Sequence, residues 1–203
     1  MAKHYITRLK RYVRYTLEYF LIEKPRGLDF SMRDKHLIGE TNGLMHGYSK
    51  TDSAHIKEIF SKLTVDSSAK LLDVGCGKGA FIRQACKEKF GDIAGIEYDK
   101  GIYDICINNL KRLKLLDKVK IFNCDAREFS HYGDYNVFYF YNPFSKEIME
   151  KVMDKIVESH RGKIVVILHD PRTADIVEAH GGKLTERLHD KVKSYWTYIY
   201  EIA

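Results

Sequence analysis

Three carboxylates and one glycine-rich turn carry the chemistry that can be read from this chain. Asp73 closes an apolar run and stands directly before Val74-Gly75-Cys76-Gly77-Lys78-Gly79, while Glu97 and Asp125 follow the next two apolar runs. A strand, a glycine turn and a helix in succession open a ligand site at the carboxyl edge of a parallel sheet. The glycines supply backbone conformations, and a closeness of approach, that side chains would block. Read literally, Gly75-x-Gly77-x-x-Ala80, with Glu97 about twenty residues on, satisfies the loose dinucleotide fingerprint. A P-loop is excluded, because Lys78 is followed by Gly79 and Ala80 where that motif needs Lys-Ser or Lys-Thr. Asp73 also serves a pyrophosphate poorly, since its charge lies close to the turn; a cationic ligand tolerates it.

The elements that must position these groups alternate. Strands are predicted at 70–74, 92–97, 119–123, 136–141 and 163–168, with helices at 80–89, 102–115, 145–159 and 174–179 between and after them. The run 136–141 is nearly all apolar or aromatic, as befits a strand covered on both faces. Strand–helix alternation implies a parallel sheet with right-handed crossovers. The ending differs: runs at 183–188 and 194–202, joined by the short link 189–193, read as an antiparallel hairpin. The predicted fold is a three-layer α/β/α sandwich, doubly wound on a seven-stranded, mostly parallel sheet with that hairpin at its end.

Upstream, residues 3–23 form an amphipathic helix with Ile6, Leu9, Val13, Leu17 and Phe20 as its stripe and Lys10, Arg11 and Arg14 between them. The expectation is that this stripe packs across the ligand-binding domain; a membrane-surface or substrate-gripping helix is the alternative. From Pro25 to Asp52 periodicity fails, with glycines at 27, 39, 43 and 47, which is the pattern of a long functional loop or lid. A helix over 53–63 follows, capped by Asp52 or Ser53. The expected division is therefore 1–52, an N-terminal helix and irregular lid, and 53–203, the ligand-binding domain.

Composition sets bounds. The 203 residues, 44% hydrophobic and 31% charged, suit one soluble domain, and the net charge of +6 makes an anionic partner plausible. Cys76, Cys86, Cys106 and Cys124 form no C-x-x-C pair, which argues against a zinc site or disulfide scaffold and for reduced thiols in a reducing, cytoplasmic setting. No uncharged apolar run of about 18 residues exists, so no transmembrane helix is expected.

The motifs together carry a resemblance. Leu72-Asp73-Val74-Gly75-Cys76-Gly77-Lys78-Gly79 resembles the first motif of the class I S-adenosylmethionine-dependent methyltransferases. Gly95-Ile96-Glu97-Tyr98-Asp99 is similar to their second, Asn123-Cys124-Asp125-Ala126 to their third, and Asn142-Pro143-Phe144 to their fourth. The resemblance implies that S-adenosylmethionine lies against Gly75, Cys76, Gly77 and Gly79, with Asp73 near its amino group and Tyr98 and Asn142 also among the cofactor-binding residues. It further implies that Glu97 accepts from the ribose hydroxyls, Asp125 from the adenine amino group, and that the Ala126 backbone donates to an adenine ring nitrogen. Asn142 and the Pro143 carbonyl would aim an acceptor amine, with Phe144 as an aromatic wall; a single proline departs from the Asn-Pro-Pro-aromatic pattern of amine-methylating members. Gly47-Tyr48-Ser49-Lys50-Thr51 is similar to a segment of non-SET lysine methyltransferases and small bacterial relatives, which nominates Tyr48 and Thr51 as residues covering the cofactor.

Side chains of these types also have plainer uses. Asp125 can cap a turn, Tyr48 and Thr51 can shape one, and His169 at the end of its strand suits a buried structural histidine as well as a general base. The leading expectation is a methyltransferase acting without metal on an acceptor that bears an amine or an anionic group. A methyltransferase-like module that binds nucleic acid or a protein without catalysis is the second reading, and an NAD-dependent oxidoreductase the third. Amines, sugar hydroxyls and small metabolites all stay open as acceptors, as does the oligomeric state.

Overall fold

Alternating apolar residues in each strand divide between two helical layers. The computed structural model describes residues 2–32, 47–160 and 162–203, with side chains in the first helix from Leu9 onward. Strands β1 (Lys70–Val74), β2 (Asp92–Glu97), β3 (Lys120–Asn123), β4 (Val137–Tyr141), β5 (Ile164–His169), β6 (Lys183–Asp190) and β7 (Tyr195–Ile202) form one sheet. Their order is β3-β2-β1-β4-β5-β7-β6, with β7 antiparallel to both its neighbours.

In β1, Leu72 and Val74 face one core with Phe138, Phe140, Val166 and Leu168, and Leu71 faces the other with Val137, Tyr139 and Ile167. The first core is covered by α5 (Lys146–Ser159) and α6 (Ala174–Ala179), the second by α2 (Ser53–Phe60), α3 (Ala80–Ala85) and α4 (Lys100–Arg112). This is the expected doubly wound sandwich with its terminal hairpin. Boundaries moved where turn chemistry outweighed periodicity. The expected helix to Lys89 stops at Ala85, because Lys87 and Glu88 donate to Gln84 and Ala85 in tight i→i−3 turns. The helix after β2 begins early, since the Asp99 carboxylate accepts from Ile102 N–H and caps it.

The N-terminal helix contradicts the expected packing. It runs as α1 (Ala2–Glu18) into a π-helical turn (Tyr19–Glu23), and Leu9, Val13, Leu17 and Phe20 of the stripe point outward. Exposure along this face ranges from 47% at Val13 to 71% at Leu21. The side chains of Tyr5 and Ile6 lie outside the described residues. The inner side is polar. Arg14 pairs with the buried Asp52 at 2.8 Å, Glu18 pairs with the buried Lys50 at 2.5 Å, and the Tyr15 ring lies 5.3 Å from Lys50 Nζ. A buried ion left unpaired costs more than an exposed apolar stripe, so the helix turns its charges inward.

Glu23 ties the following segment down. Its carboxylate accepts from the Phe30 and Ser31 amides, each at 2.9 Å, and from the Ser31 hydroxyl at 2.7 Å. Residues 25–32 and 47–52 are irregular apart from one 3₁₀ turn, as expected. The centre of the expected lid, with Gly39, Asn42, Gly43 and His46, lies outside the described residues.

Candidate functional site

A cavity of about 680 Å³ opens at the carboxyl ends of β1, β2 and β4. Its floor is the glycine turn. Gly75 and Cys76 N–H both donate to the Ile96 carbonyl, at 2.9 and 2.8 Å, which folds the turn back against β2. Gly77 N–H donates to Glu97 Oε2, and Asp99 N–H to Glu97 Oε1, both at 2.9 Å. One carboxylate therefore holds the turn after β1 and the turn after β2 at once. Gly77 adopts φ +55°, and a Cβ there would lie 2.4 Å from the Tyr48 ring. Tyr48 thus roofs the turn, fixed by its hydroxyl donating to the Phe30 carbonyl at 2.6 Å.

The segment carrying Phe30 is itself locked to the turn. Lys78, fully buried, donates to Asp29 Oδ2 at 2.8 Å and to the Met32 carbonyl at 2.9 Å. Asn109 of α4 accepts from Asp29 N–H and donates to the carbonyls of Asp29 and Lys78. The lysine inside the glycine motif therefore anchors the N-terminal segment over the cavity.

Two buried acids set the electrostatics of the cavity. Burial, then the charge of Glu97, pushes the Asp73 carboxyl well above the usual carboxylate range. Burial also raises Glu97, against the opposing pull of the Asp99 and Gly77 amides. A ligand bringing a positive charge beside Asp73 relieves that penalty, and one bringing hydroxyl donors finds acceptor capacity remaining on Glu97, which has about four lone-pair sites. Both features match an amino-acid nucleoside and conflict with a pyrophosphate.

The remaining expected residues divide. Tyr48, Thr51, Asp73, Gly75, Cys76 and Gly77 line the cavity, as do Glu97, Tyr98, Ala126, Pro143 and Phe144. Gly79 does not; a Cβ there would press at 2.8 Å on Cys106 Sγ of α4, so its role is to let the helix pack. Asp125 also lies outside the lining. Its carboxylate accepts from the Arg127 amide at 2.8 Å and pairs with that guanidinium at 2.7 Å, which holds the carboxyl below its usual range. Capping the turn is the use the structure makes of it, while its neighbours Ala126 and Arg127 reach the cavity.

Asn142 takes the left-handed φ of +38° and directs Nδ2 to Asp170 Oδ2 at 3.3 Å, so that Tyr141 and Pro143 on either side line the cavity and Asn142 does not. His169 is fully buried, bound through Nδ1 to the Thr197 hydroxyl at 2.8 Å, and driven well below its ordinary pKa by burial and by the nearby His55 and Lys193 charges. It forms a structural network with Thr197, His55 and Asp190 behind the cavity wall.

Several site residues were missed. Tyr139 and Tyr141 project from alternate positions of β4 to the cavity, Tyr139 bonded to Thr51 Oγ1 at 2.8 Å and stacked on Phe81 at 3.6 Å. Lys193 of the hairpin link is buried and donates to the Ser49 hydroxyl at 2.5 Å and to the Tyr141 hydroxyl at 3.0 Å. The aromatic run 136–141 was the signal for the tyrosines. Nothing local marks Lys193, whose partner Ser49 is 144 residues away.

Comparison with known proteins adds a family to this geometry. A family model described as mycolic acid cyclopropane synthetase matches residues 47–166, from the tyrosine roof to β5. A search of curated proteins finds none that matches the sequence. Among solved structures, an RNA methyltransferase from Salinibacter ruber, in complex with S-adenosyl-L-homocysteine, superposes with a TM-score of 0.61 at 20% identity, over 76% of this chain and 94% of that one. A SAM-dependent methyltransferase from Aquifex aeolicus superposes with a TM-score of 0.59 at 12% identity, over 73% and 89%. At these identities the structural likeness speaks to the fold.

Proposed function

The chain belongs to the mycolic acid cyclopropane synthetase family of S-adenosylmethionine-dependent methyltransferases, and from that premise we propose that it methylates an amino group presented at the Tyr141–Pro143 rim of the cavity. The pair of buried acids, Asp73 and Glu97, facing one cavity whose floor is the glycine turn supports the cofactor in this reading, and the aromatic lining of Tyr139, Tyr141 and Phe144 supports an acceptor that becomes cationic. Bound S-adenosylmethionine supplies a sulfonium methyl group, open to in-line displacement by a nucleophile. In this reading Asp73 holds the amino end, Glu97 the ribose hydroxyls, and the Gly75–Gly77 backbone passes beneath. The Tyr48 roof excludes water and Thr51 holds Tyr139 in place against the reacting centre.

The acceptor enters as a neutral amine. Its lone pair would form the new N–C bond as the C–S bond breaks with its electrons on sulfur, and the resulting ammonium would lose its proton to bulk water once the product leaves the cavity. The chain's task is alignment and dryness, so no covalent enzyme intermediate is required. Tyr139, Tyr141 and Phe144 give the developing cation aromatic faces. Lys193, donating to Ser49 and Tyr141 together, holds the acceptor end of the cavity in one arrangement. The +6 charge of the chain supports an acceptor that is carried on a larger anionic molecule.

Incubation with methyl-labelled S-adenosylmethionine and an extract of the source cells, followed by hydrolysis and amine analysis, tests the acceptor. Label recovered as an N-methyl amine is the expected result. Label confined to ethers, esters or carbon would overturn the assignment while leaving the family membership intact.

A further inference from the structure

We propose that the outer face of α1 is a docking surface for an anionic lipid bilayer. The proposal starts from an arrangement that soluble domains avoid. Leu9, Tyr12, Val13, Leu17, Phe20 and Leu21 share one exposed face of the N-terminal helix and its π-helical extension, each near half exposed or more. A contiguous apolar strip of this kind marks an interaction site. Its direction is held by polar contacts on the far side, Arg14 to Asp52 and Glu18 to the buried Lys50, so the apolar face cannot roll inward without breaking buried ion pairs.

Charge selects the partner. Lys10 borders the strip on one edge, and Lys24 closes its end with Nζ 5.2 Å from the Phe20 ring. The two acids of the segment, Glu18 and Glu23, turn inward to Lys50 and to the Phe30 and Ser31 amides. What faces outward is therefore an apolar stripe with a basic border and a tyrosine at its edge, the composition of a helix lying in the plane of an anionic membrane surface. Lysine and arginine stems reach past the apolar side chains to headgroup phosphates, and each such charge near the surface adds to binding.

The alternatives fit less well. A second copy would set the same basic borders against each other. The strip is also short: the 13 residues from Leu9 to Leu21 span roughly 20 Å of helix, a length suited to lying in the plane of a bilayer surface. A nucleic-acid surface would use the cations but leave the leucines and Phe20 in water. The docking face is one contact from the cavity, because Lys50 both lines the cavity and holds Glu18 of the helix. The proposal does not depend on which group is methylated.

Flotation of the full chain with vesicles tests it. The chain is expected to float with vesicles of phosphatidylcholine and phosphatidylglycerol and to remain below with phosphatidylcholine alone. Leu17→Glu is expected to lower partition at least about tenfold by exchanging a buried side chain for a charge, and Lys10→Glu severalfold. Both variants are to bind S-adenosylhomocysteine as the unmodified chain does, which separates lost docking from lost folding. Failure of the unmodified chain to float with anionic vesicles, or equal flotation of Leu17→Glu, overturns the proposal. So does a solution dimer that Leu17→Glu dissolves, or an RNA complex that it abolishes, since either gives the face to another occupant.

Discussion

Alanine at position 77 provides a sharp test of the roofed glycine turn. At φ +55° an alanine pays about 1–2 kcal/mol for the left-handed conformation alone. The new Cβ would also stand 2.4 Å from Tyr48 Cδ2 and 2.6 Å from Cε2, where ordinary contact begins at 3.4 Å. The ring must retreat by about an ångström, and it cannot do so while its hydroxyl keeps the 2.6 Å bond to the Phe30 carbonyl. Losing that bond costs about 1 kcal/mol, and disturbing the ring packing about another. Gly77→Ala is therefore expected to destabilise by roughly 3–4 kcal/mol in the native background and by only about 1–2 kcal/mol in Tyr48→Ala, a coupling near 2 kcal/mol. Urea unfolding of the four proteins by far-ultraviolet circular dichroism measures the cycle. Equal costs of Gly77→Ala in both backgrounds would refute the roof and leave only the backbone penalty.

Two further outcomes follow from the buried groups. Because burial raises the Asp73 carboxyl, its contribution to stability is fully present below the unfolded carboxylate value and is lost as pH rises through the folded value. The ligand-free protein should melt lower as pH increases above the ordinary carboxylate range, and Asp73→Asn should flatten that slope; an unchanged slope contradicts the assignment. Lys193→Met removes the donor shared by Ser49 and Tyr141 and is expected to lower turnover about tenfold with S-adenosylhomocysteine affinity within about twofold. Loss of affinity instead would move Lys193 to the cofactor's end of the cavity.

Most of the sheet was legible because its strands obey simple rules. The segments 70–74 and 92–97 are apolar runs ended by turn residues, and their limits match the observed strands. The chemistry at the sheet edge was legible for the same reason, since Asp73 and Glu97 stand where successive strands end and the topology brings those ends together. Asp125 shares that address but found Arg127 two residues away, and a local ion pair is a competitor that spacing does not reveal.

The helix α1 shows a different limit. Periodicity detects a stripe but not which side of the helix has a partner, and here the buried Lys50 and Asp52 claim the charged side. No local pattern marks the burial of Lys50, which depends on Glu18, Glu23 and Ser31 arriving from elsewhere in the chain. Lys193 is the same case across 144 residues.

The central claim, that the acid-lined cavity over the glycine turn holds S-adenosylmethionine, is tested most directly by titration calorimetry with S-adenosylhomocysteine on the native chain and on Glu97→Ala. The native chain is expected to bind at one site with no heat from NAD under the same conditions. Glu97→Ala, which removes the clamp on Gly77 and the acceptor for the ribose, should bind at least about tenfold more weakly, or about 1.4 kcal/mol. Equal affinity of the two proteins, or binding of NAD in place of S-adenosylhomocysteine, would contradict it.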